Sequence, residues 1–282
     1  MKNLKYYLSL LLVSALLFIS CGGAAGSGND KVTILYPNWS EGVAFTYLAK
    51  VSLEDKGYDV ELINLEPGLI FGELSKSNSK GDVFLDAWLP YTHEDYWNDY
   101  GDKLVVLGES FSEGTTGLAV PSYVTINSIE ELNANRDKFD GEIIGIGSGA
   151  GIHRNTLRAI DEYDLGFEQI SSSGPAMVAA LEKAVKNNEW IAITGWKPHY
   201  KWSNYDIKYL EDPKSIYPTD VCTIVSRRGF EDDMPEVAAF FKNFELSEEQ
   251  LYGLMAIIES EGEENGAEMW YQDNYELVDN WF

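Results

Sequence analysis

Three tryptophans stand at the ends of predicted β-strands, at Trp39, Trp88 and Trp196. Trp88 and Trp196 are each followed two residues later by a proline, which disfavours a helix at that point. Because ligands of open parallel sheets bind outside the carboxyl ends of the strands, we expect the three rings to line one cleft. The face of an indole attracts a cation, and a quaternary ammonium group depends on this because it has no N–H to donate. The pattern therefore predicts an aromatic cage for an ammonium group.

A glycine-rich run, residues 145–152, leads from a predicted strand into a predicted helix. Glycines let a ligand approach the backbone, and a helix N-terminus offers free N–H groups to an anion. The run also matches the dinucleotide pattern G-x-G-x-x-G in its looser form, with Ala150 in the last position, but a nicotinamide cofactor does not suit an exported chain. We therefore expect the N–H groups of Gly151 and Ile152 to bind a carboxylate. The alternative is a tight turn that serves helix packing.

The chain has three histidines, His93, His153 and His199. His93 follows Trp88 by five residues, so its imidazole is placed to donate a hydrogen bond to the same carboxylate; the alternative is a histidine with a structural role. No pair of histidines has zinc-type spacing, and no Ser-His-Asp or Cys-His order stands out. The sequence therefore predicts a binding protein with no metal and no cofactor, and not an enzyme.

Composition sets the class of protein. The 282 residues are 45% hydrophobic and 13% aromatic, which is enough apolar material for a folded core. The formal net charge of −25 argues against binding to nucleic acid or to an anionic lipid surface, because both would repel the chain.

The first 30 residues have the layout of an export and anchoring segment. Lys2 and Lys5 precede an apolar run, residues 6–19, that is short for a membrane span and ends at Cys21. Residues 1–21 resemble a bacterial lipoprotein signal peptide, in which Cys21 takes a lipid; the alternative is an ordinary secretory signal with a chance cysteine. Residues 22–30 then predict a flexible tether. Cys222 is left without a partner, so no disulfide is expected.

Strand and helix patterns alternate along the rest of the chain, which predicts an α/β fold with mostly parallel sheets. Two such series, joined by extended segments, predict two lobes with two crossover segments and a ligand cleft between them. Lobe 1 is predicted to comprise residues 31–116 plus 224–282, and lobe 2 residues 117–223. Predicted strands cover residues 31–36, 59–65, 82–87, 104–107, 118–124, 142–146, 190–194 and 222–226. Predicted helices cover residues 41–56, 71–79, 94–100, 129–139, 152–163 and 175–187, with three more before Phe282.

These segments resemble the glycine betaine/choline substrate-binding proteins of bacterial ABC importers. The matching stretches are residues 38–42 (NWSEG), 82–93 (DVFLDAWLPYTH), 149–152 (GAGI), 194–199 (TGWKPH) and 209–214 (YLEDPK).

The resemblance implies a two-lobe periplasmic-binding-protein-like fold (type II) that closes on its ligand. It places Trp39, Trp88 and Trp196 around the trimethylammonium group, and His93 with the N–H groups of Gly151 and Ile152 on the carboxylate. It also implies an extracytoplasmic, lipid-anchored monomer that serves an ABC permease and its ATPase in osmoprotection.

Choline is the competing ligand within the resemblance. Choline-type relatives carry an acidic residue two positions after the first tryptophan to accept the ligand hydroxyl, and Glu41 has that place here. His93 and the glycine-helix N-terminus favour a carboxylate, so we expect Glu41 to serve at the helix start, where acidic residues are common. A third reading is a sugar- or amino-acid-binding lipoprotein, since aromatic rings also stack on sugars.

Overall fold

A computed structural model describes residues 31–282, and the predicted signal, Cys21 and the tether lie outside these residues. The described chain forms one sheet in the order β2-β1-β3-β9-β4-β7-β5-β6, with β8 also paired to β4. The strands are β1 Lys31–Tyr36, β2 Asp59–Asn64, β3 Val83–Leu89, β4 Leu104–Pro121, β5 Glu142–Ile144, β6 Glu168–Ile170, β7 Ala192–Lys197, β8 Ile207–Tyr209 and β9 Asp220–Arg227.

Helices cover both faces of this sheet. They are α1 Ser40–Asp55, α2 Pro67–Leu74, α3 Glu94–Tyr100, α4 Gly151–Glu162, α5 Gly174–Asn187, α6 Lys201–Asn204, α7 Phe230–Asp233, α8 Pro235–Asn243, α9 Glu248–Glu261, α10 Glu263–Asp273 and α11 Tyr275–Asp279. None of these described helices is long and apolar enough to cross a membrane.

The long strand β4 divides the sheet into two parts. Its first part, Leu104 to Gly114, pairs with β9, and its next residues, Thr115 to Ala119, pair with β7. We call the part of the sheet built on β1, β2, β3 and β9 lobe 1, and the part built on β5, β6, β7 and β8 lobe 2. This is the two-lobe α/β arrangement predicted from the sequence, although the residue boundaries given for the lobes stay a prediction.

The expectation of mostly parallel strands is correct only away from the junction. β1 pairs in parallel with β2 and β3, and β5 pairs in parallel with β6 and β7. Around β4 and β9 the pairs are antiparallel, because both strands connect the lobes and run against their neighbours.

Four local predictions were wrong. The end of the chain, predicted to form three helices, forms five, α7 to α11. Residues 129–139 form two 3₁₀ segments, Ile129–Glu131 and Asn133–Phe139, instead of one α-helix. The helix predicted for residues 71–79 is α2, Pro67–Leu74. It begins earlier because Pro67 occupies its first turn, where the backbone N–H that a proline lacks would have no partner within the helix. The predicted extended segment 104–107 and the first four residues of the segment 118–124 belong to the single strand β4, which ends at Pro121.

Candidate functional site

The three predicted cage tryptophans surround one small cavity between the lobes. Trp39 is the residue before α1, Trp88 lies near the end of β3, and Trp196 lies near the end of β7. The cavity is small, with a volume of about 20 Å³, and is lined by Trp39, Glu41, Trp88, Thr92, Thr116, Ile146, Ala150, Gly151, Ile152 and Trp196. The structure therefore brings together the cage residues and the two predicted backbone donors.

Two of the three rings are fixed by hydrogen bonds from their indole N–H groups. Trp88 Nε1 donates to Asp86 Oδ1 and Trp196 Nε1 donates to Glu41 Oε2, each at 2.9 Å. Both rings are only 3% exposed, whereas Trp39 is partly exposed. The N–H edges are thus held by carboxylates, which sets the orientation of the ring faces toward the cavity.

Helix α4 brings its N-terminus to the opposite wall. The residue before it, Ala150, has no side-chain oxygen, so the first N–H groups of the helix have no cap, and groups in a first turn have no partner within the helix. Gly151 lies so close to the loop after β3 that a Cβ atom built on it would be 1.9 Å from the Thr92 carbonyl oxygen. Only glycine allows this approach, which puts the free N–H groups of Gly151 and Ile152 in the cavity wall.

His93 is fully buried behind Trp39 and does not itself line the cavity. Its ring stacks on that of Trp39 with 6.0 Å between centroids. The Nδ1 atom accepts a hydrogen bond from the Trp88 backbone N–H at 2.9 Å, so the proton of a neutral imidazole must be on Nε2. Nε2 is buried and has no hydrogen-bond partner among the described residues. His93 is therefore a neutral N–H donor next to the cage.

The buried state of His93 predicts a specific pH dependence of stability. Burial, with a smaller contribution from the Arg154 guanidinium, lowers the pKa of His93 to about 3. An unfolded histidine has a pKa of about 6.5. As the pH falls below this value, His93 is protonated in the unfolded chain but stays neutral in the folded chain, so the free energy of unfolding decreases. We expect the wild type to lose about 1.4 kcal/mol per pH unit relative to His93→Asn between about pH 6 and 4. Urea unfolding of both proteins measures this, and a pH-independent difference would contradict it.

Three further ionisable side chains are buried next to the cage. Glu41 is 0% exposed, Asp86 1% and Lys201 0%, and none of them forms a direct ion pair in the described part of the chain. Glu41 lies in the first turn of α1, as expected, and its side chain accepts a hydrogen bond from the Trp196 indole. Asp86 and Lys201 were not predicted as site residues. Asp86 could have been noticed from the sequence, because it is an aspartate inside the apolar run of β3.

Contacts across the cleft hold the lobes together beside the cavity. Tyr96 on α3 donates its hydroxyl to the Gly149 carbonyl at 2.8 Å. Arg154 on α4 pairs with Asp95 at 2.9 Å, and its guanidinium lies 4.5 Å from the centre of the Tyr96 ring. These contacts join the loop and helix after β3 to the start of α4, the two segments that meet at Gly151.

Removing Arg154 tests whether these contacts favour the closed arrangement. The Arg154–Asp95 pair is partly exposed, and such pairs contribute roughly 0.2–1 kcal/mol, with a similar contribution from a cation over an exposed ring. We therefore expect Arg154→Ala to weaken ligand binding about three- to tenfold, measured by calorimetric titration, with the effect shrinking at high salt. Lys183→Ala, an exposed change on α5, is the control. An unchanged affinity for Arg154→Ala would show that the contact does not favour closure.

Comparison with known proteins identifies one family and several proteins of similar sequence and fold. Residues 30–273 match the family OpuAC, described as the substrate binding domain of ABC-type glycine betaine transport systems. The glycine betaine/carnitine transport binding protein GbuC of Listeria monocytogenes is 34% identical over 151 residues, which is 51% of this chain and 50% of that protein.

Two solved structures are similar over most of the chain. The glycine/betaine/L-proline-binding protein ProX of Borrelia burgdorferi is 34% identical with a TM-score of 0.85, covering 89% of this chain and 96% of that one. Lactococcal OpuAC, in a closed conformation complexed with glycine betaine, is 31% identical with a TM-score of 0.83, covering 89% of this chain and 99% of that one. The chain therefore belongs to the family of substrate-binding domains of ABC-type glycine betaine transport systems.

Proposed function

We propose that this protein captures glycine betaine for an ABC importer. The observation that carries the proposal is a cavity lined by three tryptophans and by Gly151 and Ile152 at the uncapped N-terminus of α4. A cage suits a trimethylammonium group, and N–H donors suit a carboxylate, so the site has complementary positions for both ends of one small zwitterion.

The ligand has one orientation that satisfies both ends. The ammonium head contacts the faces of Trp39, Trp88 and Trp196. Each desolvated contact between a cation and a ring contributes about 2 kcal/mol to the binding free energy. The carboxylate accepts hydrogen bonds from the N–H groups of Gly151 and Ile152 and from His93 Nε2. His93 lies behind Trp39 and outside the cavity wall, so its donation to the carboxylate requires the Trp39 ring to move.

The same proposal includes the setting of the protein. The chain is an extracytoplasmic monomer, anchored through a lipid on Cys21, that hands its ligand to a permease powered by a cytoplasmic ATPase. Uptake of glycine betaine by this route provides osmoprotection. No residue of the site is assigned a catalytic role.

Calorimetric titration of the purified full-length chain in detergent tests the ligand assignment. Glycine betaine should bind at one site per chain, dimethylglycine more weakly, and glycine not measurably, because these ligands keep the carboxylate and lose the methyl groups. Equal binding of glycine and glycine betaine would contradict the cage. Preference for a sugar or for an unmethylated amino acid would replace the proposal by the alternative class of binding lipoprotein.

Choline is a second candidate because Glu41 lines the cavity and its Oε1 atom is buried without a partner among the described residues. This oxygen could accept the choline hydroxyl.

His93→Asn separates the two ligands. Because His93 donates only to a carboxylate, we expect the variant to weaken glycine betaine binding about tenfold, the effect of one charge-assisted hydrogen bond of roughly 1.5 kcal/mol, and to leave choline binding within a factor of two. A larger loss for choline than for glycine betaine would remove His93 from the carboxylate site.

A further inference from the structure

Glu41, Asp86 and Lys201 form a cluster of buried ionisable groups beneath the cage. Each keeps one polar atom without a hydrogen-bond partner among the described residues: Glu41 Oε1, Asp86 Oδ2 and Lys201 Nζ. Buried polar atoms are nearly always paired, so three unpaired ones in one place are unusual for a purely structural core.

The three groups are linked through the cage rings and the start of α1. Glu41 accepts from the Trp196 indole, and Lys201 Nζ lies 3.5 Å from the centre of the Trp196 ring. Asp86 accepts from the Trp88 indole, and its Oδ2 atom lies 2.8 Å from the position of a Cβ built on Gly42, the residue after Glu41. Both carboxylates therefore lie at the first turn of α1, each bonded to a cage tryptophan.

Four other ionisable groups face the cluster, from the segment before α6, from β9 and from α9. His199, which precedes α6, accepts a hydrogen bond from the Lys201 backbone N–H; Cys222 on β9 directs its thiol toward Asp86; Tyr252 on α9 is near Glu41; and Asp220 at the start of β9 acts on Cys222. Burial lowers the pKa of His199 and raises that of Cys222 and Tyr252, so these three are neutral at pH 7. Asp220 is bonded instead to the backbone N–H groups of Tyr91 and Thr92.

The charge of the cluster is thus set by two carboxyl groups and one amine. Fully ionised, they carry a net charge of −1 in a buried place, which is costly; one additional proton makes the cluster neutral. A ligand ammonium in the cage adds a positive charge next to it. A zwitterion brings its own compensating carboxylate, whereas choline does not.

We propose that Glu41, Asp86 and Lys201 determine ligand class by proton exchange: the cluster keeps its extra proton when a zwitterion binds and releases it when a monocation binds. This rests on the proposed function, since it assigns a role to the same cage. Cys222 then has a place as the thiol that faces the Asp86 carboxyl group.

The pKa directions agree with a proton that can be exchanged near neutral pH. Burial raises the pKa of Glu41 to about 7, despite the hydrogen bond from Trp196 and the charge of Lys201. Burial and the nearby Glu41 raise that of Asp86, and burial lowers that of Lys201.

The affinity for choline is expected to depend on pH. Below the pKa of Glu41, choline must expel a proton to bind, so its affinity should fall up to tenfold for each pH unit. Above that pKa, Glu41 has already lost its proton, so choline binds without releasing one. Glycine betaine should show little change across the same range, so the choline-to-betaine preference rises with pH.

The test is calorimetric titration of the full-length protein with choline and with glycine betaine between pH 5.5 and 8.5. Each pH is measured in two buffers of different ionisation enthalpy, which counts the protons released. We expect choline to release up to one proton below about pH 7 and glycine betaine almost none. Glu41→Gln should remove the proton release and the pH dependence for choline, while Glu109→Gln, an exposed change on β4, should keep both.

Equal proton release for the two ligands, none for choline, or no choline binding up to pH 8.5 would overturn this inference and leave glycine betaine capture standing. Failure of glycine betaine to bind would instead overturn the proposed function and the inference together. If Glu41→Gln does not fold, the wild-type proton counts decide alone.

Discussion

Replacing Trp88 by alanine is expected to reduce the affinity for glycine betaine at least about thirtyfold. One desolvated cation–ring contact of about 2 kcal/mol corresponds to that factor. The loss should be larger still because Trp88 is 3% exposed and holds Asp86 through its indole N–H, so its removal also loosens the wall of the cavity. Calorimetric titration measures the affinity, and thermal unfolding of the same sample shows whether the variant is folded.

Two further variants keep this prediction open to contradiction. Truncating a buried tryptophan costs about 3–5 kcal/mol of stability, so the partly exposed Trp39→Ala tests the cage with less risk to the fold. Trp190→Ala removes a tryptophan that packs on Phe139 in lobe 2, outside the cavity, and should leave the affinity unchanged. Cage variants that bind as well as the wild type, or a Trp190 variant that loses binding equally, would contradict the cage.

Gly151→Ala is expected to abolish measurable binding of glycine betaine. Its Cβ atom would be 1.9 Å from the Thr92 carbonyl oxygen, far inside van der Waals contact, and the obstacle is backbone that cannot rotate away. Helix α4 would therefore have to withdraw from the loop after β3, which carries its N–H groups away from the ligand carboxylate and separates the lobes. We expect at least a hundredfold loss, the order of magnitude of two charge-assisted hydrogen bonds.

Gly72→Ala is the matched control for Gly151→Ala. It also places an alanine in a helix, but its Cβ atom meets nothing closer than 3.8 Å, so stability should rise by roughly 0.5–1 kcal/mol and binding should not change. Small-angle scattering of Gly151→Ala should show a more open molecule than the wild type with saturating ligand. A compact variant with normal affinity would mean that the cleft closes differently from this structure.

The proximity of the three tryptophans was predictable because the relevant signal is local. A tryptophan after a strand, followed by a proline at Trp88 and Trp196, can be seen within ten residues, and the sheet rule then brings such ends together. Gly151 and Ile152 were predictable for the same reason, since a glycine run between a strand and a helix marks a helix N-terminus.

The charges beneath the cage were not predictable in the same way. Glu41 and Trp196 are 155 residues apart, and Lys201 reaches the Trp196 ring only because α6 follows a turn after β7. An acidic chain contains many carboxylates, and apart from the apolar run around Asp86 nothing in the sequence distinguishes those that fold inward. The contact between Glu41 and Trp196 could not be predicted, because it joins two elements that are distant in the sequence.

The fold was predicted well at the level of alternating elements and less well at the junction between lobes. The parallel pairs follow from β-α-β repetition, whereas β4 reads as two short strands because Gly108 and Gly114 interrupt its pattern. Shifts in register at these glycines let one strand of 18 residues serve both lobes. Such a strand has no local signature that separates it from two strands and a loop.

A crystal structure of the protein with glycine betaine is the most direct test of the central claim. We expect the trimethylammonium group to lie among the rings of Trp39, Trp88 and Trp196. The carboxylate should lie within hydrogen-bonding distance of the N–H groups of Gly151 and Ile152. A ligand outside the rings, or one turned so that its carboxylate faces Glu41, would contradict it.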